Sequence, residues 1–197
     1  MGFSKKNFAG VFIFLGAFVF LIGVVLAEAL YPHYSVKQAI SDLGVGPTAI
    51  IFNASIILFG IFVIAGVLLL SREGVNKTFT GLLALTGTAA VCTGLFPETM
   101  GSSHTISAVT VFLAGGISAI YSAKVFRSPW CWFSLILGGV SLAALLLLAG
   151  KIYLGLGFGG MERMAAYPLI IWALGTGGYL TADRNKNKNT ADTPQRL

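Results

Sequence analysis

Charge is the scarcest resource in this chain: 13 basic and 7 acidic residues in 197, or 10%. A soluble domain carries about a quarter charged residues, so soluble, disordered and nucleic-acid-binding classes are excluded together. Two cysteines cannot make a disulfide framework. Cys92 falls late in one apolar run and Cys131 opens another, towards opposite bilayer faces, so no bridge between them is expected. Also missing are P-loop, CxxC and HExxH patterns. Gly155-Leu156-Gly157-Phe158-Gly159-Gly160 has the form GxGxxG, but no strand or crossover unit surrounds it, so it reads as a flexible loop.

What is present is hydrocarbon. The 56% hydrophobic fraction and 25 glycines could fill about six crossings of roughly 20 residues each, with little left for a domain outside the bilayer. Six runs are found at about Phe8 to Leu30, Ala49 to Leu70, Phe79 to Phe96, Thr105 to Phe126, Cys131 to Leu148 and Met164 to Leu180. The first ends in Ala27-Glu28-Ala29, which mimics a cleavage site, but it is too long for a signal-peptide core and is expected to be retained. Lipid offers no water to backbone amides, so each run must be helical. The expectation is an all-α polytopic integral membrane protein, a bundle of six transmembrane helices over residues 1–182. A polar, solvated cytoplasmic tail would follow over 183–197.

If each run crosses once, Lys5, Lys6, Arg72, Lys77, Lys124, Arg127, Arg184, Lys186, Lys188 and Arg196 share the side of the N-terminus. Lys37, Lys151 and Arg163 take the other. Excess Lys and Arg stay inside, so both termini are expected in the cytoplasm of a cell-membrane protein. Two stripes of small residues mark helix contacts: Thr86, Ala90 and Gly94 in the third run, and His104, Ser107, Ala108, Gly115, Ser118, Ala119 and Ser122 in the fourth.

The outer side also collects Glu28, Asp42, Glu98, Glu162 and both histidines, His33 and His104. In a small bundle, helix ends 8 to 10 Å apart can bring such groups to one pocket. The alternative is an interfacial ring facing water, with Tyr31, Tyr34, Tyr153 and Tyr167 as an aromatic belt. The long first loop contains Ser41-Asp42-Leu43-Gly44 and Gly46-Pro47, the elements of a re-entrant cap, which Asn53 can tie down because an unpaired amide in lipid is costly. Asp42, Glu98 and His104 are the catalytic candidates, His104 activating a hydroxyl such as Ser41, Ser102 or Ser103 while a carboxylate orients its ring. Ser41, Asn53, Glu162, Arg163 and Tyr167 are the ligand-binding candidates. Arg163 either neutralises Glu162 or grips a phosphate or carboxylate. No cofactor is called for. Haem between His33 and His104 is rejected because His33 lies in a loop, and zinc on His104 with Asp42, Glu98 or Glu162 is the alternative without a spacing motif behind it.

Tyr31-Pro32, Tyr34-Ser35, Ile40-Ser41-Asp42-Leu43-Gly44, Pro47 and Phe52-Asn53 resemble the opening of the prokaryotic membrane family called domain of unknown function 998. Gly94-Leu95-Phe96-Pro97-Glu98, His104 and Glu162-Arg163-Met164-Ala165-Ala166-Tyr167-Pro168 are similar to its later signatures. More distantly, the Ile-Ser-Asp loop and six-helix plan resemble the damage-regulated autophagy modulators and the membrane proteins of GPI-anchor remodelling. That resemblance implies a lipid-related role and carries over no catalytic residue. Three functions follow as expectations: an extracytoplasmic site for a lipid or amphiphile, with hydrolase or transferase activity as its enzymatic form; a non-catalytic interaction or scaffold protein; and a small-molecule transporter. Membrane lipids are the expected partners, nucleic acid is not, and nothing in the sequence sets an oligomeric state.

Overall fold

The computed structural model describes residues 4–182, all of whose regular structure is helical. Six long helices follow one another: α1 (Lys5–Leu30), α2 (Ala49–Arg72), α3 (Lys77–Leu95), α4 (Ser102–Ser122), α5 (Trp130–Ala149) and α6 (Gly157–Ala182). Local signals set their starts. The Ser4 hydroxyl accepts from the Asn7 amide and Asn7 Oδ1 accepts back from the Ser4 amide, a reciprocal cap on α1. Asn76 caps α3 by accepting from the amides of Thr78 and Phe79. The polar tail expected over 183–197 lies outside the described residues.

The first five helices are each long and apolar enough to cross a membrane. The sixth is more polar, yet it runs beside α1 from end to end. Asn7 Nδ2 donates to the carbonyls of Leu180 and Thr181 at one end, and Arg163 pairs with Glu28 at the other. At about 1.5 Å per residue, the 26 residues of α6 match the 26 of α1. Each helix packs on its chain neighbours and α6 closes on α1, so the six form a ring. The exterior confirms the solvent. Ile136 is 60% exposed, Trp132 63% and Leu146 72%, an apolar surface suited to hydrocarbon. This is an integral membrane protein.

Inside the ring, helices approach through small residues instead of interlocking large ones. On α3 the predicted stripe Thr86, Ala90 and Gly94 is buried. On α4 so are His104, Ser107, Gly115, Ser118, Ala119 and Ser122, while Ala108 is half-buried. One close crossing joins α1 to α6, where a Cβ on Gly10 would stand 2.6 Å from the Gly177 carbonyl oxygen. Cys92 and Cys131 are free. Pro168, inside α6, cannot donate to the carbonyl one turn earlier. In that turn Ser141 donates to the Ala165 carbonyl at 2.7 Å.

The glycine-rich stretch expected as a flexible loop is in part the first turn of α6, which begins at Gly157. Gly159 is buried, its amide donates to the Lys37 carbonyl, and a Cβ there would lie 1.7 Å from the Gln38 carbonyl oxygen. The glycine serves close approach of the first loop to the helix, and Glu162 and Arg163 consequently project from α6 itself.

Candidate functional site

The end of the bundle away from the described termini is built around Arg163. Its Nη1 donates to the carbonyls of Val36 (2.9 Å), Gln38 (3.0 Å) and Gly159 (3.0 Å). Nη2 donates to Glu28 and to the Tyr34 hydroxyl, and Nε donates to Glu28 at 3.1 Å. Every face of the guanidinium is occupied by protein. Tyr34 passes its own proton to the Ala39 carbonyl at 2.6 Å. Burial pushes the Tyr34 phenol up to about 12, with the guanidinium opposing the rise. Tyr167 lies beside the same Glu28–Arg163 pair. The network clamps the first loop onto α1 and α6.

The clamped loop turns down as a 3-10 segment, Ser41–Gly44, in which Ser41, Leu43 and Gly44 are buried. Asn53 Nδ2 donates to the Gly44 carbonyl at 2.9 Å, the tie expected of an amide one turn into α2. Glu162 reaches across from α6, and one of its carboxylate oxygens accepts from the Ile40 amide at 2.6 Å. Asp42 accepts from the Ala39 amide at 3.0 Å.

Beneath this cap is a cavity of about 50 Å3, several times the roughly 10–15 Å3 that one water requires. Ser41, His104, Glu162 and Thr93 give it a polar end, and Phe20, Phe52, Ile56 and Phe112 an apolar wall. A second cavity of the same size lies deeper among Phe59, Val63, Leu83, Leu169 and Trp172. Phe20, Val111, Phe112 and Ala166 line both. The two therefore adjoin, polar end first and apolar end in the bundle centre.

His104 is 7% exposed and its Nδ1 bonds to the Phe96 carbonyl at 2.8 Å. A carbonyl only accepts, so Nδ1 carries the proton. Nε2 has no hydrogen-bond partner among the described residues, and neither has the second carboxylate oxygen of Glu162. Asp42, Glu98 and Glu162 lie within electrostatic range of one another, and His104 within range of Glu98. Partial burial pushes the Glu98 carboxyl above the usual carboxylate range; Asp42 adds to the rise, while the Ser41 hydroxyl and His104 oppose it.

A family model described as Protein of unknown function (DUF998) matches residues 14–178, which include all of these groups. The chain belongs to the DUF998 family. No curated protein and no solved structure matches it, so the more distant likeness to autophagy modulators and GPI-remodelling proteins gains no support.

In this DUF998 chain the predicted residues divide among the cavity, the clamp and the cap. Ser41, Glu162 and His104 line the cavity, with Asp42 and Glu98 beside them. Arg163 and Tyr167 belong to the clamp, and Asn53 to the underside of the cap. Arg163 pairs with Glu28 rather than with neighbouring Glu162. Ser102 and Ser103 are exposed on the first turn of α4. The imidazole is oriented by a backbone carbonyl, not by a carboxylate as in a triad. Among the described residues, no group of three or more His, Cys, Asp or Glu side chains is placed to hold a metal ion. The zinc set is therefore not assembled: His104, Asp42, Glu98 and Glu162 do not form such a group. Three groups went unread in the sequence: the Phe96 carbonyl, the Ile40 amide and the Tyr34 hydroxyl as a hydrogen-bonding centre. Pro97 was the available signal for the first, because a helix ending before proline leaves carbonyls needing donors.

Proposed function

We propose that this protein binds an amphiphile inside its helical ring, head under the first-loop cap and apolar tail in the bundle centre. One observation carries the reading: a cavity with buried, incompletely bonded polar groups adjoins a second cavity that is wholly apolar. Unpaired polar atoms in such surroundings are costly unless something bonds them. The partition of basic residues supports cytoplasmic termini and hence an extracytoplasmic mouth in the cell membrane. With Cys92 and Cys131 replaced, a cysteine at Ser102 is expected to react with an impermeant maleimide on intact cells and one at Glu73 to be protected. The reverse pattern overturns the orientation.

Ala166, which lines both cavities, gives the direct test. Ala166→Leu narrows the junction, so a co-purifying amphiphile seen by native mass spectrometry should be lost while the protein remains folded. An unchanged amphiphile content in folded Ala166→Leu refutes the reading. The second reading, a non-catalytic scaffold, is favoured by the clamp, whose strongest polar group is wholly engaged within the protein. It predicts no amphiphile retained by either protein.

A further inference from the structure

The polar end of the cavity is unusual in what it offers a ligand. Glu162 is 8% exposed and presents a carboxylate oxygen with no protein donor. His104, with its proton committed to the Phe96 carbonyl through Nδ1, presents Nε2 as an acceptor in the neutral ring. The Ser41 hydroxyl lines the same end of the cavity and has lone pairs that can accept. Among the described residues, no lysine or arginine lines this end of the cavity. The nearest, Arg163, has all its N–H groups occupied by Glu28, Tyr34 and three carbonyls.

The wall repeats the message. Phe20, Phe52 and Phe112 line the cavity, and aromatic side chains in desolvated surroundings favour cations over anions. An incoming carboxylate or phosphate would meet the Glu162 carboxyl in the lining, with Asp42 and Glu98 in electrostatic range behind it, and like charges there are unfavourable. An ammonium would meet the opposite: the free lone pairs of Glu162, His104 Nε2 and Ser41, beside aromatic side chains.

Resting on the amphiphile reading above, we propose that the head group bound under the cap is a compact hydrogen-bond donor carrying positive charge, an alkylammonium-type amphiphile, and that anionic amphiphiles are excluded. Glu162 is the residue that selects the charge, and its open oxygen accepts from the ammonium. Ser41 and His104 Nε2 take the remaining protons.

The test uses three amphiphiles of one chain length, dodecylammonium, dodecanol and dodecanoate, titrated against the full-length protein in nanodiscs of neutral lipid. Binding is read from the shift in thermal unfolding and from native mass spectrometry. Dodecylammonium should bind at least about tenfold more tightly than dodecanoate, which corresponds to one charge-assisted hydrogen bond of about 1.4 kcal/mol. Glu162→Gln keeps an acceptor for the Ile40 amide, so the cap stays in place, and should abolish the preference for the ammonium. Should that variant fail to fold, Ser41→Ala serves in its place and should weaken dodecylammonium more than dodecanol. Equal or tighter binding of dodecanoate overturns the charge assignment and leaves the amphiphile site standing. A preference that survives both variants overturns the role of these residues. Saturable binding of none of the three compounds overturns the amphiphile reading itself.

Discussion

Replacing Arg163 by methionine removes the guanidinium while keeping most of the side-chain volume. The Arg163 side chain is 9% exposed and its partner Glu28 22%, so the change strands a largely buried carboxylate together with the Tyr34 hydroxyl and the carbonyls of Val36, Gln38 and Gly159. Breaking a buried pair from one side costs about 3–5 kcal/mol, against about 0–1 kcal/mol for an exposed pair. For a domain of this length that is a fall in Tm of roughly 6–20 °C. Glu28→Gln, which retains a hydrogen-bond acceptor, should cost less. The double variant should cost less than the sum of the two, because the stranded charge is then absent. The assay is thermal unfolding in nanodiscs, followed by near-ultraviolet circular dichroism. A cost for Arg163→Met below about 1 kcal/mol, the exposed-pair range, would show that the clamp is not the anchor of the first loop.

Gly159→Ala puts a methyl into the Gln38 backbone and should cost about 1–3 kcal/mol by overpacking; a cysteine at Ile40, a buried position, should become reactive to maleimide only in that variant. Because folding raises the Tyr34 phenol from the ordinary 10 to about 12, its contribution is complete below pH 10 and is lost as pH rises towards 12. Tyr34→Phe should flatten that decline in unfolding free energy, and an unchanged slope would contradict the burial of the hydroxyl. Glu98 is also raised, so its contribution is complete below the usual carboxylate range and falls away as pH climbs through it. Glu98→Gln should remove this part of the pH dependence, and equal slopes in the two proteins would count against a desolvated Glu98.

The spans were legible because hydrocarbon demands long apolar runs, and the buried stripes on α3 and α4 because close helix packing demands small residues. The Asn53 tie could be read for a related reason, since a lone amide in an apolar run needs a partner. The start of α6 could not, because glycines at Gly157, Gly159 and Gly160 look like a loop until the neighbouring backbone is known. Pairing Glu162 with Arg163 fails on helix geometry. Consecutive residues on a helix project in different directions and do not face each other. Here Glu162 points to Ile40 and Arg163 to Glu28, 135 positions away in the chain. The convergence of Asp42, Glu98, Glu162 and His104 at one end was expected from span counting. The split between an occupied clamp and an open cavity depends on which lone pairs find donors, and spacing carries no record of that.

An experimental density map of the protein in lipid nanodiscs tests the central claim most directly. The expected result is elongated density that begins within hydrogen-bond distance of Glu162 and His104 Nε2 and passes Ala166 into the chamber between Phe59 and Trp172. A map in which both polar groups turn onto protein atoms and the chamber is closed by its own side chains would contradict it.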